Sequence, residues 1–188
     1  MMKYFGFLAA ALLALSMAAS PASAEAVADS DTLLVLFSMT GNTKAISDAI
    51  LAKIDAETAN IEVATPYPAD RDTLLETAKQ EINDNFKPAL KTRVADIGKY
   101  KTVLLGYPIW WSNIPPPVAS FLADHDLTGK VLVPFATHGG GGLGQSVASI
   151  EKLAPNSEIL KPFAARGGSR VSGADIDAWL AENGLLEK

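Results

Sequence analysis

Three uninterrupted apolar runs constrain the fold of this chain more than any other feature of its sequence. The runs are Leu33–Phe37, Thr102–Tyr107 and Val131–Phe135. A strand with one face in water alternates polar and apolar residues, so an unbroken apolar run is typical of a strand that is buried on both faces. Strands of this kind belong to parallel sheets with helices packed against both sides. The runs therefore predict an α/β fold.

The segments between and after these runs have the apolar spacing of amphipathic helices. Five apolar faces can be distinguished: Ile46, Ile50 and Ile54; Leu74, Leu75, Ala78 and Ile82; Val118, Phe121 and Leu122; Val147, Ile150 and Leu153; and Ile176, Trp179 and Leu180. Ser172 is predicted to cap the last of these helices. Residues 61–64 and 158–160 are weaker candidates for two further strands. Five strands alternating with five helices predict a doubly wound, three-layer α/β sandwich, in which the five-stranded parallel sheet has the order 2-1-3-4-5.

The composition is that of a single globular domain, and it excludes several classes of chemistry. Of the 188 residues, 48% are hydrophobic and 20% are charged. The chain has no cysteine, which excludes disulfides, iron–sulfur clusters and thiol catalysis, and with only two histidines we expect no metal site. The net charge is −5 and no two basic residues are adjacent, so we expect no nucleic-acid partner.

Residues 1–24 have the features of a secretory signal peptide. Lys3 supplies the positive charge, an apolar stretch follows at residues 4–15, and Ala22 and Ala24 stand at the positions of a signal-peptidase site. The alternative is a membrane anchor, but the stretch is shorter than the roughly 20 residues that a membrane-spanning helix needs. We therefore expect cleavage after Ala24.

Cleavage at this point leaves one domain at residues 25–188, without a stable membrane anchor. We expect a periplasmic or secreted bacterial protein, exported through the Sec route because the leader contains no twin-arginine pair. The absence of cysteine suits an oxidising compartment, where a stray thiol is a liability.

The loop after the first run is the first candidate site, because ligands of doubly wound sheets bind beyond the carboxyl ends of the strands. Five of its six residues are hydroxyl, amide or glycine residues, and the six are Ser38, Met39, Thr40, Gly41, Asn42 and Thr43. Backbone N–H groups at the start of the following helix carry the positive end of its dipole and can bind an anion. We predict that the loop binds a phosphate monoester through hydroxyls and backbone amides, without a lysine or arginine. The alternative is that Thr40 or Asn42 merely caps the helix.

The loop after the second run contains two adjacent tryptophans. The candidate residues are Pro108, Ile109, Trp110 and Trp111. An apolar pair in an exposed loop indicates a planar ligand or a partner surface. The alternative is burial, and we expect one of the two rings to pack into the core beneath the loop.

The loop after the third run is rich in glycine. The candidate residues are Thr137, His138, Gly139, Gly140 and Gly141. Ordering successive glycines costs conformational entropy. A run of glycines therefore indicates that backbone amides lie flat against the edge of a ligand. The alternative is a flexible lid or a simple turn. His138 either contacts the ligand or caps the loop.

Together, the three loops describe a ligand with a phosphate at one end, a flat ring at the other and a polar ring edge that is bound by backbone amides. FMN has these features, and we expect it as the cofactor.

The motifs also resemble those of the flavodoxin family. Residues 36–43 are similar to the family's FMN phosphate loop, and residues 106–111 and 134–140 are similar to its two ring-binding loops. They look most like a branch of short flavodoxin-like proteins with a G-Y-P-I-W-W segment, and the likeness extends over residues 32–185. It implies a flavodoxin-like fold. It also implies that residues 38–43 hold the phosphate, that Pro108–Trp111 flank the flavin and that Thr137–Gly141 contact its pyrimidine edge.

The resemblance implies a small FMN electron carrier with no catalytic residue of its own, which docks transiently to redox partner proteins. One alternative is an FMN-dependent reductase of quinones or other small electron acceptors. Another is a flavin-free binding module that has kept the fold. Where the family carries an aromatic residue that stacks on the ring, the third loop has only His138 and glycines, so we expect one flavin face to be open.

Overall fold

The three apolar runs form the three central strands of a parallel sheet in the computed structural model, which describes residue 1 and residues 30–186. In chain order the elements are β1 (Thr32–Leu36), α1 (Asn42–Leu51), β2 (Glu57–Asn60), α2 (Arg71–Asn83), a short 3₁₀ turn (Ile97–Lys99), β3 (Thr102–Pro108), α3 (Pro116–Asp124), β4 (Val131–His138), α4 (Ser146–Leu153), β5 (Glu158–Ile159), β6 (Phe163–Arg166) and α5 (Gly173–Glu182).

The sheet has the predicted order β2-β1-β3-β4-β5, and all its strand pairs are parallel. Alternate residues of the central strands point to opposite faces. In β1, Leu33 and Val35 belong to one hydrophobic core, which α3 and α4 cover, while Leu34 and Leu36 belong to a second core, which α1 and α5 cover. The predicted three-layer sandwich is thus confirmed, and it leaves the carboxyl edge of the sheet open for a ligand.

The second strand lies at Glu57–Asn60 and not at residues 61–64, where the apolar pattern predicted it. Among the described residues, β2 is an edge strand that pairs only with β1, and its residues alternate between partly buried and exposed positions. An edge strand needs no apolar run, which is why the pattern was misleading. Ile61 continues the pairing, since its N–H donates to the Leu36 carbonyl at 2.8 Å, and its side chain is buried.

A sixth strand, β6, was not predicted from the sequence. It continues β5 along the same side of β4, but with a shifted register. Between the pairs Leu132–Ile159 and Phe135–Phe163, β4 advances three residues while its neighbour advances four, which is the arrangement of a β-bulge. The bulge contains Pro162, and it brings β6 to the carboxyl edge of the sheet beside His138.

The helices agree with the predicted apolar faces. Ser172 is the N-cap of α5, and its hydroxyl accepts a hydrogen bond from the Asp175 N–H at 3.1 Å, as predicted. α1 ends at Leu51, so Ile54 lies beyond the helix, although it still packs against the core that α1 covers.

The predicted signal peptide falls almost entirely outside the described residues. Within the described ranges, no helix is both long enough and apolar enough to cross a membrane.

Candidate cofactor-binding site

The three loops that the sequence singles out meet at a cleft of about 370 Å³ on the carboxyl edge of the sheet. The residues that line it come from the ends of β1, β3, β4 and β6: Thr40, Asn42, Pro108, Ile109, Trp110, Thr137, His138, Gly139, Arg166 and Gly167. Parallel strands end at the same edge, which is why loops that are far apart in the sequence share one site.

The first loop presents unpaired backbone donors at the start of α1. Gly41 is the N-cap residue and has no side chain with which to cap the helix, so the alternative in which Thr40 or Asn42 acts as the cap is not observed among the described residues. Within the described part of the chain, the N–H groups of Asn42 and Thr43 have no acceptor. The Ser38 hydroxyl accepts the N–H of Lys44 at 3.3 Å, and the Asn42 amide donates to the Thr40 hydroxyl at 3.2 Å. Free N–H groups at a helix N-terminus fit an anionic ligand.

Gly41 has a positive φ of 82°, which favours glycine over any other residue. A Cβ atom at this position would meet none of the described residues within 4 Å. The glycine is therefore required by the backbone conformation, and the space beside it remains open to a ligand.

A buried hydrogen bond joins the first loop to the third. The Thr43 and Thr137 hydroxyls lie 2.8 Å apart, and the two residues are only 1% and 5% exposed. This bond joins the start of α1 to the end of β4.

The second loop is a tight two-residue turn. The N–H of Trp110 donates to the carbonyl of Asn113 at 3.0 Å, and the N–H of Asn113 donates to the carbonyl of Trp110 at 2.9 Å. The central residues, Trp111 and Ser112, have φ values of 48° and 60°, as in a type I′ turn, although neither is glycine. Left-handed backbone at bulky residues costs free energy and persists only where neighbours hold it. Here the N–H of Gln145, next to the third loop, donates to the Ser112 carbonyl at 2.7 Å.

The two tryptophans have different surroundings. Trp110 is partly buried, and its ring packs edge-on against Phe37 and Tyr67 with centroid distances of 5.5 and 5.3 Å. This confirms that one of the two rings packs on the core, and the same ring also lines the cleft. Trp111 is 50% exposed and lies outside the cleft lining. Its indole N–H donates to the Leu75 carbonyl at 2.9 Å.

Tyr67 is not among the residues assigned from the sequence, yet it supports Trp110 from behind. Its hydroxyl donates to Glu81 Oε2 at 2.5 Å. Burial raises the pKa of the Tyr67 phenol, and the bond to the Glu81 carboxylate raises it further. Tyr67 therefore stays protonated. The prolines on either side of it, Pro66 and Pro68, were the available sequence signal.

The third loop contributes only part of its glycine run to the cleft. His138 and Gly139 line it, whereas Gly140 and Gly141 do not. Nδ1 of His138 accepts the N–H of Gly140 at 3.0 Å, so the histidine caps its own loop and also borders the cleft. Gly144 has a φ of +55°, and a Cβ there would lie 2.3 Å from the Ser112 carbonyl oxygen. This close approach holds the third loop against the second.

Arg166 and Gly167, at the end of β6, line the cleft and were missed by sequence reasoning. The Gly167 N–H donates to the His138 carbonyl at 2.9 Å, and a Cβ at Gly167 would lie 3.2 Å from the Asn42 amide nitrogen. The segment therefore lies directly against the first loop. Arg166 is a basic residue of the lining, whereas residues 38–43 of the first loop contain no lysine or arginine. It was missed because the bulge that brings β6 to this edge has no apolar signature.

Family and structural similarities agree with this geometry. A family model described as Flavodoxin matches residues 31–183. The chain belongs to the flavodoxin family. A crystal structure of a Bacteroides eggerthii protein, proposed to be a flavoprotein, is 32% identical over 80% of this chain and 95% of its own, with a TM-score of 0.71. No match was found among the curated proteins.

Two more distant structures share the flavodoxin fold. A Lactobacillus acidophilus flavoprotein, solved in complex with FMN, is 22% identical over 79% of this chain and 97% of its own, with a TM-score of 0.65. The two-electron reduced flavodoxin of Megasphaera elsdenii is 19% identical over 80% of this chain and 97% of its own, with a TM-score of 0.53. Family membership supports FMN as the cofactor.

The described residues also fit this cofactor chemically. One end of the cleft has free N–H groups and the Thr40 hydroxyl, which suit a phosphate, and the other has the apolar surface of Ile109 and Trp110, which suits a ring. No aspartate or glutamate lines the cleft among the residues that the structure describes, so nothing in it repels an anion. Also within the described ranges, no cluster of acidic and histidine side chains could hold a metal ion.

Proposed function

We propose that this protein is an exported electron carrier that binds FMN in the cleft and exchanges electrons with redox partner proteins. One observation carries the proposal: a single cleft combines unpaired amide donors at its first loop with the indole of Trp110 at its second. The amide donors suit the phosphate of a phosphorylated flavin, and the indole suits its ring.

The bound flavin would supply the redox chemistry, and the protein would supply binding, orientation and control of water access. The N–H groups of Asn42 and Thr43 would bind the phosphate, together with the Thr40 hydroxyl. Trp110 would exclude water from one side of the ring, because Phe37 and Tyr67 hold the indole in place. The N–H of Gly139 is available to the polar ring edge from the third loop.

The partner surface of the carrier would be the rim of the cleft. Met39 and Trp111 are 45% and 50% exposed, and each is the chain neighbour of a residue that lines the cleft. Exposed apolar side chains at a rim suit brief contact with partner proteins.

The proposal of export depends on the sequence features of residues 1–24. Mass spectrometry of the protein from the periplasm would test it by showing an N-terminus at Glu25.

One observation favours a second candidate, an FMN-dependent reductase of quinones or other small acceptors. Gly139, Gly140 and Gly141 are exposed, and none of them carries a side chain that could cover the flavin. An open ring face would admit a small acceptor directly. This candidate shares the cofactor with the carrier and differs in what receives the electrons.

A spectrum of the purified protein tests the shared part of both candidates. We expect the protein to show flavin absorbance bands after addition of FMN and gel filtration. The Thr40→Ala variant should retain less FMN. Colourless protein that binds no added FMN would contradict both and support a flavin-free module. Photoreduction in two separate one-electron steps favours the carrier. Multiple turnovers of NAD(P)H with a quinone favour the reductase.

A further inference from the structure

We propose that Arg166 binds the phosphate of FMN and makes the site selective for a charged flavin phosphate over uncharged riboflavin. This inference rests on the proposed function, since it concerns the same cleft. It adds a specific cation to a loop that otherwise offers only hydroxyl groups and backbone amides.

The fold brings Arg166 to this place through the bulge before β6. Because the strand beside β4 gains one residue at the bulge, Arg166 pairs in register with His138 at the carboxyl edge of the sheet. Without that extra residue, the alternation of side chains along β6 would be inverted. The bulge thus determines which residue faces the cleft.

Arg166 lies between two cavities that meet at the first loop. It lines the flavin cleft together with Thr40 and Asn42, and it also lines an adjoining cavity of about 380 Å³ together with Gly41 and Asn42. Gly167 brings the backbone into near contact with the Asn42 amide. Arg166 therefore lies beside the same residues that offer free N–H groups.

The charge of Arg166 is not neutralised within the described part of the chain. No acid forms an ion pair with it there, and its side chain makes no hydrogen bond. Lys44, the basic residue in the first turn of α1, is instead paired with Asp48 at 2.7 Å. Among the described residues, Arg166 is the one cation that lines the flavin cleft.

A guanidinium suits this role physically. It is always charged, and its planar set of N–H groups can bind two phosphate oxygens at once. Helix N-terminal amides contribute only partial charges, so they leave most of the phosphate charge unbalanced. Arg166 would supply the missing unit charge, and riboflavin, which has no phosphate, would gain nothing from it.

The test compares FMN and riboflavin affinities of the full-length domain by quenching of flavin fluorescence. In Arg166→Gln we expect FMN affinity to fall by about tenfold or more, as for a lost hydrogen-bonded charge pair. Riboflavin affinity should not change, and the salt dependence of FMN binding should weaken. Arg166→Lys should recover part of the loss. Arg93→Gln is the matched control, because Arg93 is an exposed arginine that lines neither of these two cavities.

The outcomes separate this inference from the proposed function. An unchanged ratio of FMN to riboflavin affinity in Arg166→Gln, while the unaltered protein binds FMN, overturns the role of Arg166 alone. Equal weakening of both ligands also overturns it, because that result marks a structural defect of the loop. If the unaltered protein binds no FMN, the proposed function and this inference both fail.

Discussion

Gly41 turns the chain from β1 into α1 with a φ of +82°. In the part of the chain that the structure describes, no atom outside its immediate neighbours lies within 4 Å of the position of a Cβ. Two requirements therefore meet at one residue: a conformation that other residues adopt at a cost, and free space for a ligand. The resemblance of residues 36–43 to a phosphate loop identified this glycine from the sequence. Its conformation was not predictable, because a glycine is compatible with many values of φ.

Gly41→Ala is expected to weaken FMN binding, since the alanine disfavours the left-handed conformation that directs the N–H groups of Asn42 and Thr43 outwards. The stability of the folded state should fall by about 1–2 kcal/mol from the same strain. Fluorescence titration and urea unfolding would measure the two effects.

Gly129→Ala provides the control, because Gly129 also has a positive φ, of 73°, and open space around it, but lies before β4 at the other edge of the sheet. It should lose a similar amount of stability and keep its FMN affinity. Equal FMN affinity in the two variants would show that the conformation of Gly41 does not matter to the ligand.

Trp179 is a residue whose role is packing. It is 4% exposed, lies against Phe135 and Phe163, and its indole N–H donates to the Lys161 carbonyl at 2.8 Å. Trp179→Ala should lower the free energy of unfolding by about 3–5 kcal/mol through the cavity that it leaves. Chemical denaturation would measure this, and the same substitution at the half-exposed Trp111 should cost far less. Comparable losses at the two tryptophans would contradict the assigned packing role.

At the scale of elements, β4 determines where its neighbours can pair. Pro134 lies within this central strand and has no N–H to donate. Leu132 and His138, an even number of residues away, direct their carbonyls to Leu160 and Gly167 on the side of β5 and β6. Pro134 therefore faces the same side, where the bulge leaves a gap in the pairing. A proline within an apolar run therefore indicates that the pairing beside β4 is interrupted. The apolar pattern does not show where the neighbouring strand carries the extra residue of the bulge.

The hydrogen bond between Thr43 and Thr137 links α1 to β4, and a double-mutant cycle can measure it. Thr43→Val and Thr137→Val should each cost about 1–3 kcal/mol, because each leaves a buried hydroxyl unpaired. The double variant should cost less than the sum of the two, since it removes both hydroxyls. Urea unfolding would give the values. Thr77→Val, at an exposed hydroxyl on α2, serves as the control for the substitution itself. Strict additivity would contradict a direct link between the two elements.

At the scale of the whole molecule, the apolar runs predicted the sheet order and the two-sided covering, because burial on both faces imposes a pattern that is visible in the sequence. Edge strands lack that constraint, and so β2 was misplaced and β6 was missed. The candidate site follows the same division. The loops after β1, β3 and β4 were found from their residue types, whereas the tertiary structure brings Arg166 to the cleft and Tyr67 to the ring of Trp110.

Binding of FMN should stabilise the entire domain, because only the folded chain brings the loops together. At a free FMN concentration of 100 times the dissociation constant, the free energy of unfolding should rise by about 2.7 kcal/mol. Thermal unfolding at several FMN concentrations would measure the effect. Riboflavin at the same concentrations should stabilise the fold less, and a complete lack of stabilisation by FMN would contradict binding to the folded state.

A crystal structure of residues 25–188 grown with FMN tests the central claim most directly. The account predicts the phosphate within hydrogen-bond distance of the N–H groups of Asn42 and Thr43, and the flavin ring beside Trp110. A cleft that remains without flavin, or a flavin whose phosphate lies away from residues 38–43, would contradict it.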